Sequence, residues 1–306
     1  MTSLTNKQLA ERATGLGGSD AWAYCGKDPR KTPMDLWMEK TGKLPVAPAR
    51  EREPNSRPGW GSRLEPVVRD WLSEELGRKI HHNPKKLYRS DTIPFLIGHL
   101  DGITESPMEG VEIKCADKFM ADEFGERGTD QIPIRYVLQV MHYMIVTRLP
   151  RFHVGALVGG NDARHYVVEY NEDLAQMIID QATKFWHYVE TDTPPDPVSL
   201  EDADKRWPAS FGRTVIANEE ILKAITDLKQ ARARQGLAEK EGDEIEVELK
   251  SYMGDAGGLI DQHHHLLATW RSQTSNRFDQ KAFAAAHPEL LAQFRSIAEF
   301  RVFRLR

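Results

Sequence analysis

The chain has 306 residues, 40% of them hydrophobic and 28% charged, with 41 Lys and Arg against 46 Asp and Glu. Such a composition excludes collagen-like, disordered and disulfide-scaffold classes. A net charge of -5 excludes a surface coated throughout in positive charge, though not a local basic channel. Two cysteines, Cys25 and Cys115, are too few for an iron-sulfur or four-cysteine zinc site and fit a reducing, cytoplasmic setting. Met1 to Arg12 lacks an apolar h-region, so no secretory signal is expected. No membrane span is expected either, because the most apolar stretch, Tyr136 to Leu149, is short and interrupted by Gln139, His142 and Arg148.

In chain order, Thr5 and Gln8 have the spacing of a capping box and predict a short helix to about Arg12. Gly15, Gly17 and Gly18 then lead into Ser19 and Asp20, either of which can cap a helix starting at Ala21. Thr32-Pro33 starts another helix, and Lys43 to Gly59, rich in Pro and Arg, reads as an exposed loop. From Trp60 to Leu76, apolar residues at Leu64, Val67, Val68, Trp71, Leu72 and Leu76 keep a helical period and leave Glu65 beside the buried stripe. Strands are expected at Lys86 to Arg89, Phe95 to Thr104 and Gly110 to Cys115, as an antiparallel meander. A helix at Ile132 to Thr147, strands at Arg151 to Val158 and Arg164 to Tyr170, and a helix at Asn171 to Tyr188 complete a mixed α/β unit.

Thr193-Pro194-Pro195-Asp196-Pro197 is a stiff connector, which puts the expected boundary between a domain at 1–195 and an extension at 196–306. Asn218 to Met253 reads as one long helix with interleaved charges, the pattern of an exposed or coiled-coil arm. Beyond it, strands are expected at Leu266 to Trp270, Arg277-Phe278 and Phe300 to Arg306, with helices from Gln280 and Pro288.

Chemistry is concentrated in Val111-Glu112-Ile113-Lys114-Cys115, where a period of two puts Glu112 and Lys114 on one strand face. A hairpin from the preceding strand would bring Asp101 beside Glu112. Two converging carboxylates repel unless a cation intervenes, and hard oxygen donors suit Mg²⁺ or Mn²⁺. Such a site suits phosphodiester hydrolysis, with Lys114 orienting a water or stabilising charge. Glu65 would add a third carboxylate, and Gln139 would fix the lysine or the water. An isolated Glu-x-Lys, by contrast, is ordinarily a surface ion pair.

Taken together, these residues resemble the phage exonucleases of the lambda exonuclease and YqaJ-type viral recombinase family, within the PD-(D/E)XK nucleases. The resemblance runs from about residue 8 to 190 and is carried by Arg12 with Gly15-Leu16-Gly17-Gly18-Ser19-Asp20, Trp60-Gly61 with Glu65, Asp101-Gly102, Glu112-Ile113-Lys114-Cys115, and Tyr136 with Gln139-Val140. It implies a nuclease core with a central mixed sheet flanked by helices, followed by a mainly helical extension. It implies Asp101, Glu112 and the Ile113 carbonyl as metal ligands with Glu65 as the upstream acid, Lys114 as the catalytic lysine, and Gln139 as the active-site glutamine. Arg12 and Ser19 would hold a terminal 5′-phosphate. Met141 departs from the pattern, since many relatives have a second glutamine there.

The expected activity is therefore Mg²⁺-dependent exonuclease digestion of double-stranded DNA from an end, 5′ to 3′, leaving a single strand for recombination. The resemblance further implies a ring-shaped homo-oligomer, often a trimer, and a phage single-strand annealing protein as partner. Two alternatives stay open, an endonuclease on the same core and a catalytically silent DNA-binding module. His263-His264-His265 reads as a polar loop, His142 as structural, and Arg50, Arg52, Arg57 and Arg63 as candidate phosphate contacts.

Overall fold

Three parallel-paired and antiparallel-paired segments rich in Val, Ile and Ala make the centre of this computed structural model, which describes residues 13–44, 56–296 and 300–305. The chain divides into two compact units, Met1–Arg206 and Trp207–Arg306.

In the first unit, a 3₁₀ turn at Gly18–Asp20 leads into the short helix α1 (Ala21–Tyr24), followed by α2 (Pro33–Lys40) and α3 (Arg57–Leu76). Short strands follow at β1 (Ile80–His81), β2 (Tyr88–Arg89), β3 (Ile97–Gly98) and β4 (Gly102–Thr104), then the longer β5 (Gly110–Ala116). The unit ends with α4 (Ile134–Thr147), β6 (Arg151–Val158), β7 (Asp162–Glu169), α5 (Glu172–Glu190) and α6 (Leu200–Arg206). A five-stranded sheet runs in the order β1-β4-β5-β6-β7, with β5 and β6 parallel and its other neighbours antiparallel.

Alternation along the strands sorts side chains to two cores. Val111 and Ile113 pack with Val68 and Leu72 of α3 on one face. Phe152, Val154, Ala156 and Val158 pack with Leu138, Val140 and Met144 of α4 and with Ile178 and Phe185 of α5 on the other. In the β5–β6 register, Glu112 lies opposite Val154 and Lys114 opposite Ala156, so both point to the α4 face.

Several sequence expectations are corrected. Phe95 to Thr104 is not one strand. It breaks into β3 and β4 because the backbone at Asp101 gives its carbonyl to the Arg69 and His82 side chains instead of a strand partner. β2 and β3 form a separate two-stranded sheet, so the meander is interrupted, and β1 supplies an edge strand that the sequence reading missed. Helix α3 starts at Arg57, ahead of Trp60, because the Ser56 side chain accepts the Gly59 N–H at 3.2 Å. Val67 is exposed and not part of the buried stripe. The expected helix ending near Arg12 and most of the Lys43 to Gly59 loop lie outside the described residues.

α6 docks through its buried Asp202, which accepts the Thr32 hydroxyl at 2.7 Å and the Val198 N–H at 3.1 Å, while Lys205 pairs with Asp35 at 2.5 Å. In the second unit, Asn218 caps the 35-residue helix α7 (Glu219–Met253). A hairpin of β8 (Gly258–Ile260) and β9 (Leu266–Thr269) and the short helices α8 (Gln280–Ala286) and α9 (Pro288–Gln293) follow. Arg277-Phe278 is not a strand. Phe278 instead packs on Phe283 ahead of α8, with ring centroids 4.9 Å apart. Residues 300–305 form no strand either.

Candidate active site

Where β4 pairing with β5 ends, at Gly102↔Val111, the edge of β5 is left for side chains to serve. The Asp101 carboxylate accepts the Ile113 N–H at 2.8 Å. Arg69 and His82 clamp the Asp101 carbonyl at 3.1 and 2.8 Å, which fixes the residue from behind. For His82 this makes Nδ1 the protonated nitrogen, since a carbonyl only accepts.

Lys114 and Glu112 share the same strand face at 2.5 Å. Gln139, one turn inside α4, closes a triangle with them. Its Oε1 accepts from Lys114 Nζ at 3.0 Å, and its Nε2 donates to Glu112 Oε1 at 2.7 Å and to the Tyr143 hydroxyl at 3.1 Å. The Tyr136 ring lies 5.0 Å below the ammonium. Burial pulls the Lys114 pKa down, but Glu112 and Asp101 outweigh it and hold the group above its ordinary value, so it stays an ammonium. The Asp101 pKa is raised as well, which for a carboxyl favours the neutral form. Burial, with Glu112 and Glu65 nearby, pushes its carboxyl well above the usual carboxylate range.

The donor set fits a hard divalent cation. Glu112 is 2% exposed, and its Oε2 is buried with no hydrogen-bond partner among the described residues, while burial and the neighbouring Glu112 raise the pKa of the Asp101 carboxyl. A cation resolves both features. Protein side chains alone do not complete a cage, because among the described residues no three His, Cys, Asp or Glu groups gather closely enough to hold an ion. Backbone oxygen, water and substrate oxygen would complete the shell. Glu65 stands close enough to raise Asp101 but gives one oxygen to Arg69 at 3.0 Å.

With that geometry in place, the chain can be set beside known proteins. Residues 8–150 match the YqaJ-like viral recombinase domain. Over those residues the chain resembles the family that its sequence motifs pointed to. The likeness extends past that domain: the uncharacterized protein YqaJ of Bacillus subtilis strain 168 is 26% identical over 97% of this chain and 93% of its own length. The fold matches the crystal structure of an alkaline exonuclease from Laribacter hongkongensis with a TM-score of 0.50 and 17% identity, over 62% of this chain and 94% of that chain. The central mixed sheet flanked by helices expected from the sequence is thus the fold observed.

Of the residues singled out in the sequence, Asp101, Glu112, Ile113, Lys114 and Gln139 come together, with Glu65 at the margin. Ser19 is exposed in the glycine-rich turn, whose Asp20 pairs with Lys40 at 2.8 Å and accepts the Gly17 N–H at 3.1 Å. Arg12, Arg50 and Arg52 lie outside the described residues. Sequence reasoning missed the Arg69 and His82 clamp and the role of Tyr143. An i,i+4 relation to Glu65 was the one available signal for Arg69. No helix among the described residues is long and apolar enough to cross a membrane.

Proposed function

We propose that this protein is a metal-dependent exonuclease that digests double-stranded DNA from an end, 5′ to 3′, and leaves single-stranded DNA for phage-type recombination. Its basis is one constellation: the Lys114 ammonium held by Glu112 and Gln139 beside an unpartnered Glu112 oxygen and the raised Asp101 carboxyl. An exposed ion pair would have neither the burial nor the third partner.

Asp101, Glu112 and the Ile113 carbonyl would hold Mg²⁺, or Mn²⁺ in its place, with Glu65 behind them. The ion would polarise the phosphoryl oxygen and lower the pKa of a bound water. Lys114 keeps its charge and points it at the same space, where it stabilises negative charge developing on the phosphate oxygens. Gln139 fixes the ammonium, so no reorientation is needed when the substrate arrives.

End recognition falls to Arg12 and Ser19, which would hold the 5′-phosphate. Residues 1–195 form the nuclease domain in this account, and 196–306 an extension. A ring-shaped homo-oligomer, such as a trimer, working in the cytoplasm with a single-strand annealing protein, follows from the family resemblance. The test is release of acid-soluble nucleotide from linear duplex with Mg²⁺, with Mn²⁺ and with EDTA, beside Lys114→Ala. Activity that needs the metal and disappears in the variant supports the assignment. A Lys114→Ala protein of normal activity overturns it.

A further inference from the structure

The two glycine motifs of the sequence meet at one tyrosine. Leu16 bridges Leu96, with the Leu16 N–H on the Phe95 carbonyl at 2.7 Å and the Ile97 N–H on the Leu16 carbonyl at 2.9 Å, which brings Gly18 close to Gly98. The ring of Tyr143 fills the space these glycines leave. A Cβ at Gly18 would lie 2.5 Å from its Cε1, and one at Gly98 would lie 2.8 Å from its Cδ1. Such distances are impossible for a real side chain, so both positions require glycine while the ring stays where it is. Phe152 flanks the ring, with centroids 6.1 Å apart at 27°. The ring is 6% exposed, and its hydroxyl accepts from Gln139 Nε2 at 3.1 Å.

We propose that Tyr143 is a positioning residue: a ring locked by Gly18 and Gly98 sets the rotation of the Gln139 amide, and through it the Lys114 ammonium against Glu112. The inference rests on the nuclease reading of the site. An unanchored glutamine amide has two nearly equal orientations, and only one presents Oε1 to the lysine and Nε2 to the glutamate. Lys114, which only donates, and Glu112, which only accepts, select that orientation, and the Tyr143 hydroxyl gives Nε2 a second acceptor that holds the amide in place. The same ring ties the glycine-rich turn carrying Ser19 to the glutamine.

The test compares Tyr143→Phe, Gln139→Leu and the double variant in single-turnover digestion of a linear duplex, with the full chain throughout. Tyr143→Phe keeps the ring and removes only the oxygen. The maximal rate is expected to fall about 10-fold to 100-fold with KM for duplex within about twofold. The double variant is expected to be no slower than Gln139→Leu alone, because the tyrosine acts through the glutamine. Gly18→Ala should give a loss of the same kind by displacing the ring. A Tyr143→Phe rate within about twofold of wild type, or losses that multiply in the double variant, overturns the proposal.

A second readout does not depend on cleavage. The side-chain amide of Gln139, identified in a ¹⁵N spectrum by its loss in Gln139→Leu, should shift in Tyr143→Phe, because Nε2 loses one of its two acceptors. An unchanged amide signal overturns the proposal even if the wild-type protein cuts no DNA, an outcome that would remove the nuclease reading separately.

Discussion

The Asp101 carboxylate accepts the Ile113 N–H at 2.8 Å, so a side chain takes over from strand pairing at the point where β4 parts from β5. One oxygen thus has a structural task, and the carboxyl is placed beside Glu112 as a consequence. Charge is the cost of that placement, since burial and Glu112 push the Asp101 pKa well above its ordinary value.

Asp101→Asn separates the two tasks. The amide oxygen can still accept the Ile113 N–H, while the buried charge is gone. A group whose folded pKa is raised contributes stability that is lost as pH rises through that pKa, so ionising the buried aspartate burdens the fold and asparagine avoids that cost. In EDTA, thermal melting should show a variant at least as stable as wild type. Activity with Mg²⁺ should fall by about 100-fold or more. A variant melting well below wild type would contradict this division of roles.

Lys114 and Glu112 should behave as a unit. Lys114→Met leaves the carboxylate of Glu112, 2% exposed, without its ammonium, and breaking such a buried pair costs about 3 kcal/mol or more. Glu112→Gln combined with Lys114→Met should regain most of that stability and none of the activity. Urea midpoints of the single and double variants measure this directly. Additive losses of stability would count against the coupling.

Much of this site was legible before any coordinates. Glu112 and Lys114 share a face because a strand has period two, and Asp101 stands next to the segment that forms a hairpin with β5. The helix of Gln139 was legible from its apolar pattern to within two residues at its start. What the sequence could not supply is tertiary. Nothing local says that Tyr143 enters the gap between Gly18 and Gly98, residues far apart in the chain. The break between β3 and β4 was missed for a related reason, since Phe95, Leu96, Ile97, Ile103 and Thr104 suit a strand and the segment is interrupted at Asp101 by side chains from α3 and from His82. Arg277-Phe278 failed as a strand because propensity without a neighbouring strand to pair with makes no sheet.

Acid should weaken the fold through His142. Its Nε2–H donates to the Ile97 carbonyl at 2.9 Å, and its Nδ1 accepts from the Tyr24 hydroxyl at 2.9 Å, so the ring is held neutral. Burial lowers its pKa to about 4 from 6.5. The unfolded chain therefore binds the proton more tightly, and stability present above about pH 6.5 is lost as pH falls toward 4, in total about 3 kcal/mol. His153 and His165 are lowered by burial too and act in the same direction. His142→Gln should reduce the pH dependence of the urea midpoint over this range by about one proton. An unchanged slope would contradict the buried neutral histidine.

Asp202 tests the attachment of α6. It is fully buried and takes hydrogen bonds from Thr32 and Val198. Asp202→Ala should cost about 1 to 3 kcal/mol and expose the chain near Arg206 to limited proteolysis. A variant as stable and as resistant as wild type would show that the docking contributes little.

The central claim is tested most directly by digesting a linear duplex with a 5′-phosphate on one strand and a distinct label at each end, in Mg²⁺ or EDTA, beside a closed circle. The account predicts metal-dependent release from the phosphorylated 5′ end with the circle untouched. Cutting of the circle would contradict it in favour of an endonuclease, and binding without cutting of either substrate would contradict catalysis itself.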